Sequence, residues 1–474
     1  MASLLSSLAN AGNALEVVQR ALEVVQNNVT NSSTPGYATQ QASFVAEPLD
    51  IGGGVTTGPL IDTRDQFADS EVQRQLQALG LYTAQAQSTG TIQSFFNVTG
   101  TSGVAADLNN LFTSFSAWST TPDDATAQQT VISNASTLAQ DIQGLSNSLT
   151  QTGQQLDQQI GSTVNQINTL ATQVQQYNES LAGQTQPDPG AQANLENTLE
   201  SLSQLVNITT LHQNGGTITV LVGGSPLVMG DQQYSISEQT AVKTSPAPVN
   251  PASPPTDQIL DSQGNDITSE VTGGQLGGLL DSKNNVLASM IGDGQQAGTL
   301  NQFAQGLADT VNGILESGTV STAPGAAAGI PLFTYNNSDA TLAAGTLAVN
   351  PAITPGALAP VDASGNSNGN ANQLAALATA QGQIGGESFS GFFGSIAAGA
   401  GQANQTATTN QTTQQSAVSQ AQSLQQQVSG VSLDGQATTL LQYQHAYQAV
   451  TELITTINNL AGSLMNMIPP AGST

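Results

Sequence analysis

The chain contains no cysteine, which removes disulfides, thiolate metal sites and thiol nucleophiles together. Basic side chains are scarce as well: five Lys and Arg stand against 32 Asp and Glu, for a formal net charge of -27. Such a surface repels phosphate, so nucleic acid and anionic membrane are poor partners. Aromatic residues make up 4% of the chain and Trp118 is its single tryptophan, which leaves little material for stacking on bases or sugars. Charged residues of both signs together reach only 8% against roughly 25% in ordinary globular domains. Gln, Asn, Ser and Thr fill the surface instead. No apolar run approaches the roughly 20 residues that span a bilayer, so no membrane insertion is expected. Arg20 is the first basic side chain and no uninterrupted apolar run precedes a cleavage-like site, so a cleaved secretory signal is not expected either.

Catalytic constellations are also missing. His212 and His445 lie far apart in sequence, without the converging partners that a zinc site or a triad requires. Gly292-Asp293-Gly294 has no preceding strand and no lysine in phosphate-loop spacing, so it reads as a helix break. Asp261 to Glu270 is rich in oxygen donors but lacks the offsets of a calcium loop, and reads as a hairpin turn. Gly223-Gly224-Ser225-Pro226 lacks the second glycine of a nucleophile elbow. Triplets such as Asn97-Val98-Thr99 are expected by chance at this composition. Neither enzyme activity nor a cofactor or metal follows from these residues.

The two ends of the chain carry the strongest pattern. Leu4, Leu8, Ala11, Leu15, Val18, Leu22, Val25 and Val29 alternate steps of four and three, as do Leu440, Tyr443, Tyr447, Val450, Ile454, Ile457, Ala461, Leu464 and Ile468. This is the seam of a coiled coil. Helices seamed in this way at both termini can pair with each other or with their counterparts in neighbouring subunits, which is how a tubular polymer is built. The first helix ends at Thr34-Pro35-Gly36-Tyr37, where proline fixes φ and glycine supplies positive φ, predicting a type II turn that redirects the chain.

Between the ends, helical signal from Asp69 to Leu181 breaks near Gly100 and at Thr121-Pro122-Asp123-Asp124. Its longest part carries Ile142, Leu149 and Leu156, then Ile160, Ile167, Val174 and Leu181, two series joined by a coiled-coil stutter. Short β-type runs follow Asn207 with Gly-rich punctuation, predicting a meander, and Pro246 to Pro255 reads as a linker. The expected fold class is mainly α with a β-rich insertion: terminal coiled-coil helices as an inner tube, a long-helix bundle as the body, and an outer β domain. The expected boundaries are 1–36 for the N-terminal coiled-coil helix and 37–206 for the first part of the helical body. The first part of the β-rich outer domain takes 207–268, the second part of the body 269–318, and the second β part 319–370. The third part of the body takes 371–432 and the C-terminal coiled-coil helix 433–474.

Asn27-Asn28-Val29-Thr30-Asn31 with Thr34-Pro35-Gly36-Tyr37 resembles the N-terminal signature of flagellar axial proteins. Ser429-Gly430-Val431-Ser432-Leu433-Asp434, Leu441-Gln442-Tyr443-Gln444 and Ala446-Tyr447-Gln448-Ala449 are similar to the first hook-associated proteins, the FlgK family, and so are the stretches Val164 to Ala171 and Gly274 to Asp281. Thr30, Ser33, Thr39 and Gly435 depart from the usual residues, and the short middle implies a missing or reduced outer domain. The resemblance implies a structural component of the bacterial flagellum, a ring of identical subunits at the junction of hook and filament side. Its implied partners are the hook protein, the second junction protein and a cytoplasmic export chaperone on the C-terminal helix. It also implies an extracellular location, reached through the flagellar export channel without a cleaved signal peptide. A rod or hook subunit, or a secreted adhesin, are the alternatives.

Overall fold

A computed structural model of the chain describes residues 2–48, 53–96, 100–181, 189–213, 216–241, 256–293, 296–339 and 341–466. The expected linker from Pro246 to Pro255, the triplet at Asn97 and the seam residue Ile468 lie outside them. Helix α1 (Ala2–Thr30) is followed by two short antiparallel ladders: β1 (Gln40–Gln41) with β4 (Ile61–Asp62), and β2 (Phe44–Glu47) with β3 (Gly54–Thr57). Helices α2 (Gln66–Ser94), α3 (Val104–Thr120), α4 (Ala125–Leu181) and α5 (Pro189–Leu205) come next. Asp65 starts α2 by accepting the N–H groups of Phe67 and Ala68, which satisfies two of the four orphan donors of a helix start.

Strands β5 (Ile208–His212), β6 (Ile218–Val222), β7 (Ser225–Met229) and β8 (Gln232–Gln233) form an antiparallel meander in sequence order. A separate hairpin joins β9 (Ser237–Ala241) to β10 (Thr256–Leu260). The turn after β10 is closed by Asp261, whose Oδ1 accepts the N–H groups of Gln263 and Asn265 at 2.8 and 2.9 Å. Those hydrogen bonds, with that of the Asn265 side chain foremost, hold its carboxyl below the usual range, so the carboxylate is spent on the turn. Helix α6 (Gly274–Asp281) runs through a π-helical turn, Ser282–Leu287, into α7 (Ala288–Ile291), which Gly292 ends. Then come α8 (Thr299–Glu316), β11 (Phe333–Thr334), α9 (Ala343–Thr346), β12 (Ala348–Val349) and α10 (Gly369–Ala376). Long helices α11 (Phe389–Ser429) and α12 (Leu433–Asn466) complete the described chain. In 319–370 the described ladder is the two-residue pairing of β11 with β12, and the rest is mostly turn and coil laid on α4 and α8.

One continuous core fills the body, from Ala84 to Ala400, with Trp118, Phe115, Phe303, Phe333 and Phe389 among its largest buried side chains. The apolar face of α4 lies in it, with Ile142, Leu149, Ile160, Ile167 and Val174 wholly buried. Each such side chain contributes on the order of 1.5–3 kcal/mol by leaving water. The stalk formed by α2 and α11 is different. It has a small apolar cluster, Val72, Leu76, Val418 and Ala421, and is otherwise joined by amides and hydroxyls such as Asn404 to Gln93 and Gln411 to Thr83. Neither α1 nor α12 contributes a residue to either cluster.

Asparagine does the docking that charged residues do elsewhere. Asn168 on α4 gives and accepts a hydrogen bond with the main chain of Ile236 at 2.9 and 3.1 Å, and Asn178 does so with Ile218 at 2.8 Å in both directions. Asn312 on α8 holds Phe333 in the same way. A carboxamide copies the donor and acceptor of a peptide group, so each helix side chain pairs main-chain groups of β6, of β11 or of the segment just before β9 that would otherwise be left unpaired on burial.

Candidate functional site

Helices α1 and α12 pack side by side, apart from the body core. The face that α12 turns to α1 is built from its heptad seam: Leu440, Tyr443, Tyr447, Val450 and Ile454 are half-buried, Ile457 is 7% exposed, and Leu464 lies open beyond them. On α1 the buried face is rotated from the heptad reading. Ala11, Val17, Ala21, Val24, Val25 and Asn28 are buried, while Leu4, Leu8, Leu15, Val18 and Leu22 sit half-buried along the border and Val29 is 43% exposed. Small side chains admit close approach of a second helix, and Asn28 must face inward to reach its partners, so these two requirements set the rotation. A 3.5-residue pattern reports a stripe and not which edge of it is covered first.

Asn28 organises the base of the pair. Its Oδ1 accepts the N–H of Gln40 at 3.0 Å and the hydroxyl of Tyr37 at 3.0 Å. Its Nδ2 donates to the Gln40 carbonyl at 2.8 Å and to Gln436 Oε1 on α12 at 3.1 Å. Thr39 binds the other end of the chain, N–H to the Ser429 carbonyl at 2.9 Å and hydroxyl to the Gly430 carbonyl at 2.8 Å. Phe44 meets Tyr443 edge to face, with ring centroids 6.3 Å apart. The two termini are thereby closed on each other where they leave the body.

In the turn itself, the Tyr37 N–H returns to the Thr34 carbonyl at 3.2 Å and Gly36 has φ +72°, the backbone of a type II turn. Thr34 and Pro35 are exposed, Gly36 and Tyr37 half-buried. A Cβ on Gly36 would lie 2.6 Å from the Ala193 carbonyl oxygen, so α5 leaves no room for one. Asn197 donates to the Pro35 carbonyl at 2.9 Å, and Arg64 Nη2 to the Gly36 carbonyl at 2.6 Å.

The Arg64 side chain is 9% exposed, with Asp69, Asp62 and Glu196 at 3.4, 3.6 and 3.9 Å. Gln425 on α11 bridges Asp69 at 2.8 Å and Glu200 at 3.3 Å. Burial pushes the Glu196 carboxyl up to about 7, against the pull of Arg64, and burial raises Glu200 as well. One guanidinium thus gathers the turn, α2 and α5 into a single knot at the foot of the terminal helices. None of Asn28, Arg64, Asp69, Glu196 or Gln425 stands out by periodicity. The available signals are that Asn28 lies within the Asn27-Asn28-Val29-Thr30-Asn31 motif and that Arg64 is among only five basic residues in a chain with 32 acids. His212 on β5 and His445 on α12 are both exposed, and among the described residues no group of metal-ligating side chains gathers at either.

Residues 89–333 match the family model described as the flagellar hook-associated protein FlgK helical domain, and residues 413–467 match that of the flagellar basal body rod FlgEFG protein C-terminal region. Flagellar hook-associated protein 1 of Bacillus subtilis is 25% identical over 510 aligned positions, covering 98% of this chain and 99% of that protein. The protein of the same name from Salmonella typhimurium is 28% identical over 58% of this chain and 51% of its own length, so against that relative the match spans about half. Among solved structures, the flagellar hook junction protein FlgK of Burkholderia pseudomallei aligns with a TM-score of 0.48 at 25% identity, over 56% of this chain and 46% of that one.

Proposed function

With over half of its length matching the FlgK helical domain, the chain belongs to the FlgK family of flagellar hook-associated proteins, and from that premise we propose that it forms the ring joining the hook to the filament side. It is a structural component of the bacterial flagellum. The observation that carries the junction reading is the pairing of α1 with α12 outside the body core. Leu5, Leu441, Leu453 and Leu460 remain between 52% and 66% exposed on that pair, more apolar surface than an isolated two-helix unit keeps in water. Neighbouring subunits in a ring would cover it, making the pair a unit of an inner tube. Leu5, Leu441, Leu453 and Leu460 then line the subunit contacts together with Val29 and Leu464, while the other expected contact residues, Leu4, Leu8, Leu15, Val18, Leu22 and Val25 on α1 and Leu440, Tyr443, Tyr447, Val450, Ile454 and Ile457 on α12, serve chiefly the pairing of the two helices within one subunit.

The hook protein is the partner on one side of this ring and the second junction protein on the other. Before export, a cytoplasmic chaperone shields the C-terminal helix, and the chain leaves through the flagellar channel without a cleaved signal peptide to reach its extracellular place. Among the described residues no helix is long and apolar enough to cross a membrane. Asn13, Gln19, Gln26 and Asn27 are exposed on α1, where Glu16, Arg20 and Glu23 are exposed as well, so this face is polar but carries charges of both signs. The rod-type match is confined to the C-terminal helices, whereas the hook-associated match takes in the body, which favours the junction over a rod subunit. Negative-stain microscopy of the purified chain mixed with hook fragments tests the reading. A collar at one end of each fragment is expected; decoration along the sides, or no binding, would overturn it.

A further inference from the structure

The chain buries a second basic residue, in a different setting. Lys283, in the π-helical turn Ser282–Leu287, is 4% exposed, and its Nζ stands 2.8 Å from Oδ1 of Asp257 on β10 and also contacts Oδ1 of Asp157 on α4. Asp257 is 0% exposed, and neither of its carboxyl oxygens accepts a hydrogen bond even though Nζ is so close. The nitrogen therefore approaches this carboxyl off the directions a hydrogen bond requires. Asn284, the next residue, fixes the approach: its Oδ1 accepts the Asp257 N–H at 3.0 Å and its Nδ2 donates to the Asp257 carbonyl at 2.8 Å. The two reactive side chains are pinned together through the backbone of one and the neighbour of the other.

A third carboxyl closes the cluster. Glu238 stands opposite Ile259 in the β9–β10 hairpin, on the same strand face as Asp257. Its Oε2 would lie 2.6 Å from a Cβ on Gly161, one helical turn beyond Asp157 on α4, so only glycine leaves it that position. Buried Ile259, Leu280 and Leu287 keep the surroundings apolar. Burial, with Glu238 adding to it, pushes the Asp257 carboxyl up to about 7, and burial pulls the Lys283 ammonium down to about 8. The acid and the free amine are therefore both within reach near neutral pH. At Arg64 no such reaction is open, since a guanidinium does not give up its proton in proteins.

We propose that Lys283 and Asp257 condense to an intramolecular isopeptide bond between β10 and the π-helical turn. Lys283 Nζ gives a proton to Asp157, and its freed lone pair adds to Cγ of Asp257 in the acid form. Asp157 returns that proton to the departing hydroxyl, which leaves as water, and takes a last proton from the nitrogen, passing it to solvent. One C–N bond forms and one C–O bond breaks. Counting the proton that Asp257 takes from solvent to reach its acid form against the one released at the end, an ammonium and a carboxylate become an amide and water, so net charge is unchanged and no oxidant, reductant or further reactant enters. The product staples the β9–β10 hairpin to the helical body.

Intact-mass spectrometry of the purified full chain reads the bond directly. The wild-type protein is expected to be lighter than its sequence by one water, and Lys283→Ala and Asp257→Ala to have their full sequence masses. Asp257→Asn is expected to lose ammonia in place of water, and Asp157→Asn to convert more slowly. Because the alanine variants remove a buried partner and could fail to fold, fragment sequencing of the wild type supplies a second measurement. A branched peptide joining 256–260 to 282–287 is expected. Full sequence mass after prolonged incubation near pH 8, two linear peptides in place of the branched one, or a water loss that survives Lys283→Ala, would each overturn the proposal.

Discussion

Asn28 and Gln40 exchange two hydrogen bonds, side-chain amide to main chain in both directions, at 2.8 and 3.0 Å. The same reciprocal arrangement recurs between Asn168 and Ile236, Asn178 and Ile218, Asn284 and Asp257, and Asn312 and Phe333. In each pair a helix or helical turn borrows a neutral side chain to complete the backbone of another segment. A surface with few charges has few salt bridges to fix how its pieces meet, and the carboxamide, donor and acceptor in one group, supplies directed hydrogen bonds in their place.

Asn28→Asp tests this. The carboxylate keeps the shape and both acceptor bonds but cannot donate, so oxygen would face the Gln40 carbonyl and Gln436 Oε1 with no proton between. A buried polar group left without its partner costs about 1–3 kcal/mol. The expected outcome is faster amide exchange across α1 and α12, with the thermal transition of the body unmoved. A melt of the whole chain that falls as a unit would show that the terminal pair is not a separate cooperative element.

Gly36→Val combines two penalties. Positive φ is strained for a β-branched residue, at about 1–3 kcal/mol, and the new Cβ would be driven against the Ala193 carbonyl. Folded, helical protein with the terminal pair detached from Arg64 and α5 is expected, scored as failure to add to hook fragments. Normal addition would mean that the angle set by this turn is immaterial to assembly.

The Glu196 carboxyl, ordinarily near 4.5 and raised to about 7 chiefly by burial, carries a pH signature. Between those values the folded state holds a proton that the unfolded chain has released, so stability falls as pH rises through that window and is fully present below it. The shift corresponds to on the order of 3 kcal/mol at most, reduced by coupling to Arg64, Asp69, Glu200 and Asp62 in the same knot. Glu196→Gln is therefore expected to flatten the decline of Tm between pH 5 and 8 relative to wild type, the window in which this proton is lost. Parallel declines in the two proteins would place the titrating group elsewhere.

What the sequence made legible is what repeats. The helix breaks at 121–124, the apolar face of α4 and the seam of α12 follow from periodicity, and the Thr34 to Tyr37 turn from the fixed geometry of proline and glycine. The meander was legible too, although its last run split: Ser237 begins a strand that pairs with β10 and not with β7. Arg64, Glu196 and the docking asparagines were illegible because a single polar residue has no period, and its role is decided by which backbone the fold brings within 3 Å. The rotation of α1 was illegible for the same reason, being set by Asn28 and small alanines while the leucines mark the stripe.

The C-terminal seam offers the sharpest test of assembly. Val450 and Ile457 face α1, one half-buried and the other buried, and an aliphatic side chain removed from water contributes on the order of 1.5–3 kcal/mol when fully covered. Val450→Asp and Ile457→Asp would forfeit that gain and place a carboxylate without a partner in the seam. Since α12 contributes nothing to the body core, the circular-dichroism melt of the body should hardly move, while addition to hook fragments, and capture by the export chaperone proposed above, should both weaken. Gln448→Glu and Asn459→Asp add the same charge on exposed positions of the same helix and serve as matched controls. Were the seam aspartates to assemble as well as these controls, α12 would not be an interface, and the pairing of the termini would be a feature of the single chain alone.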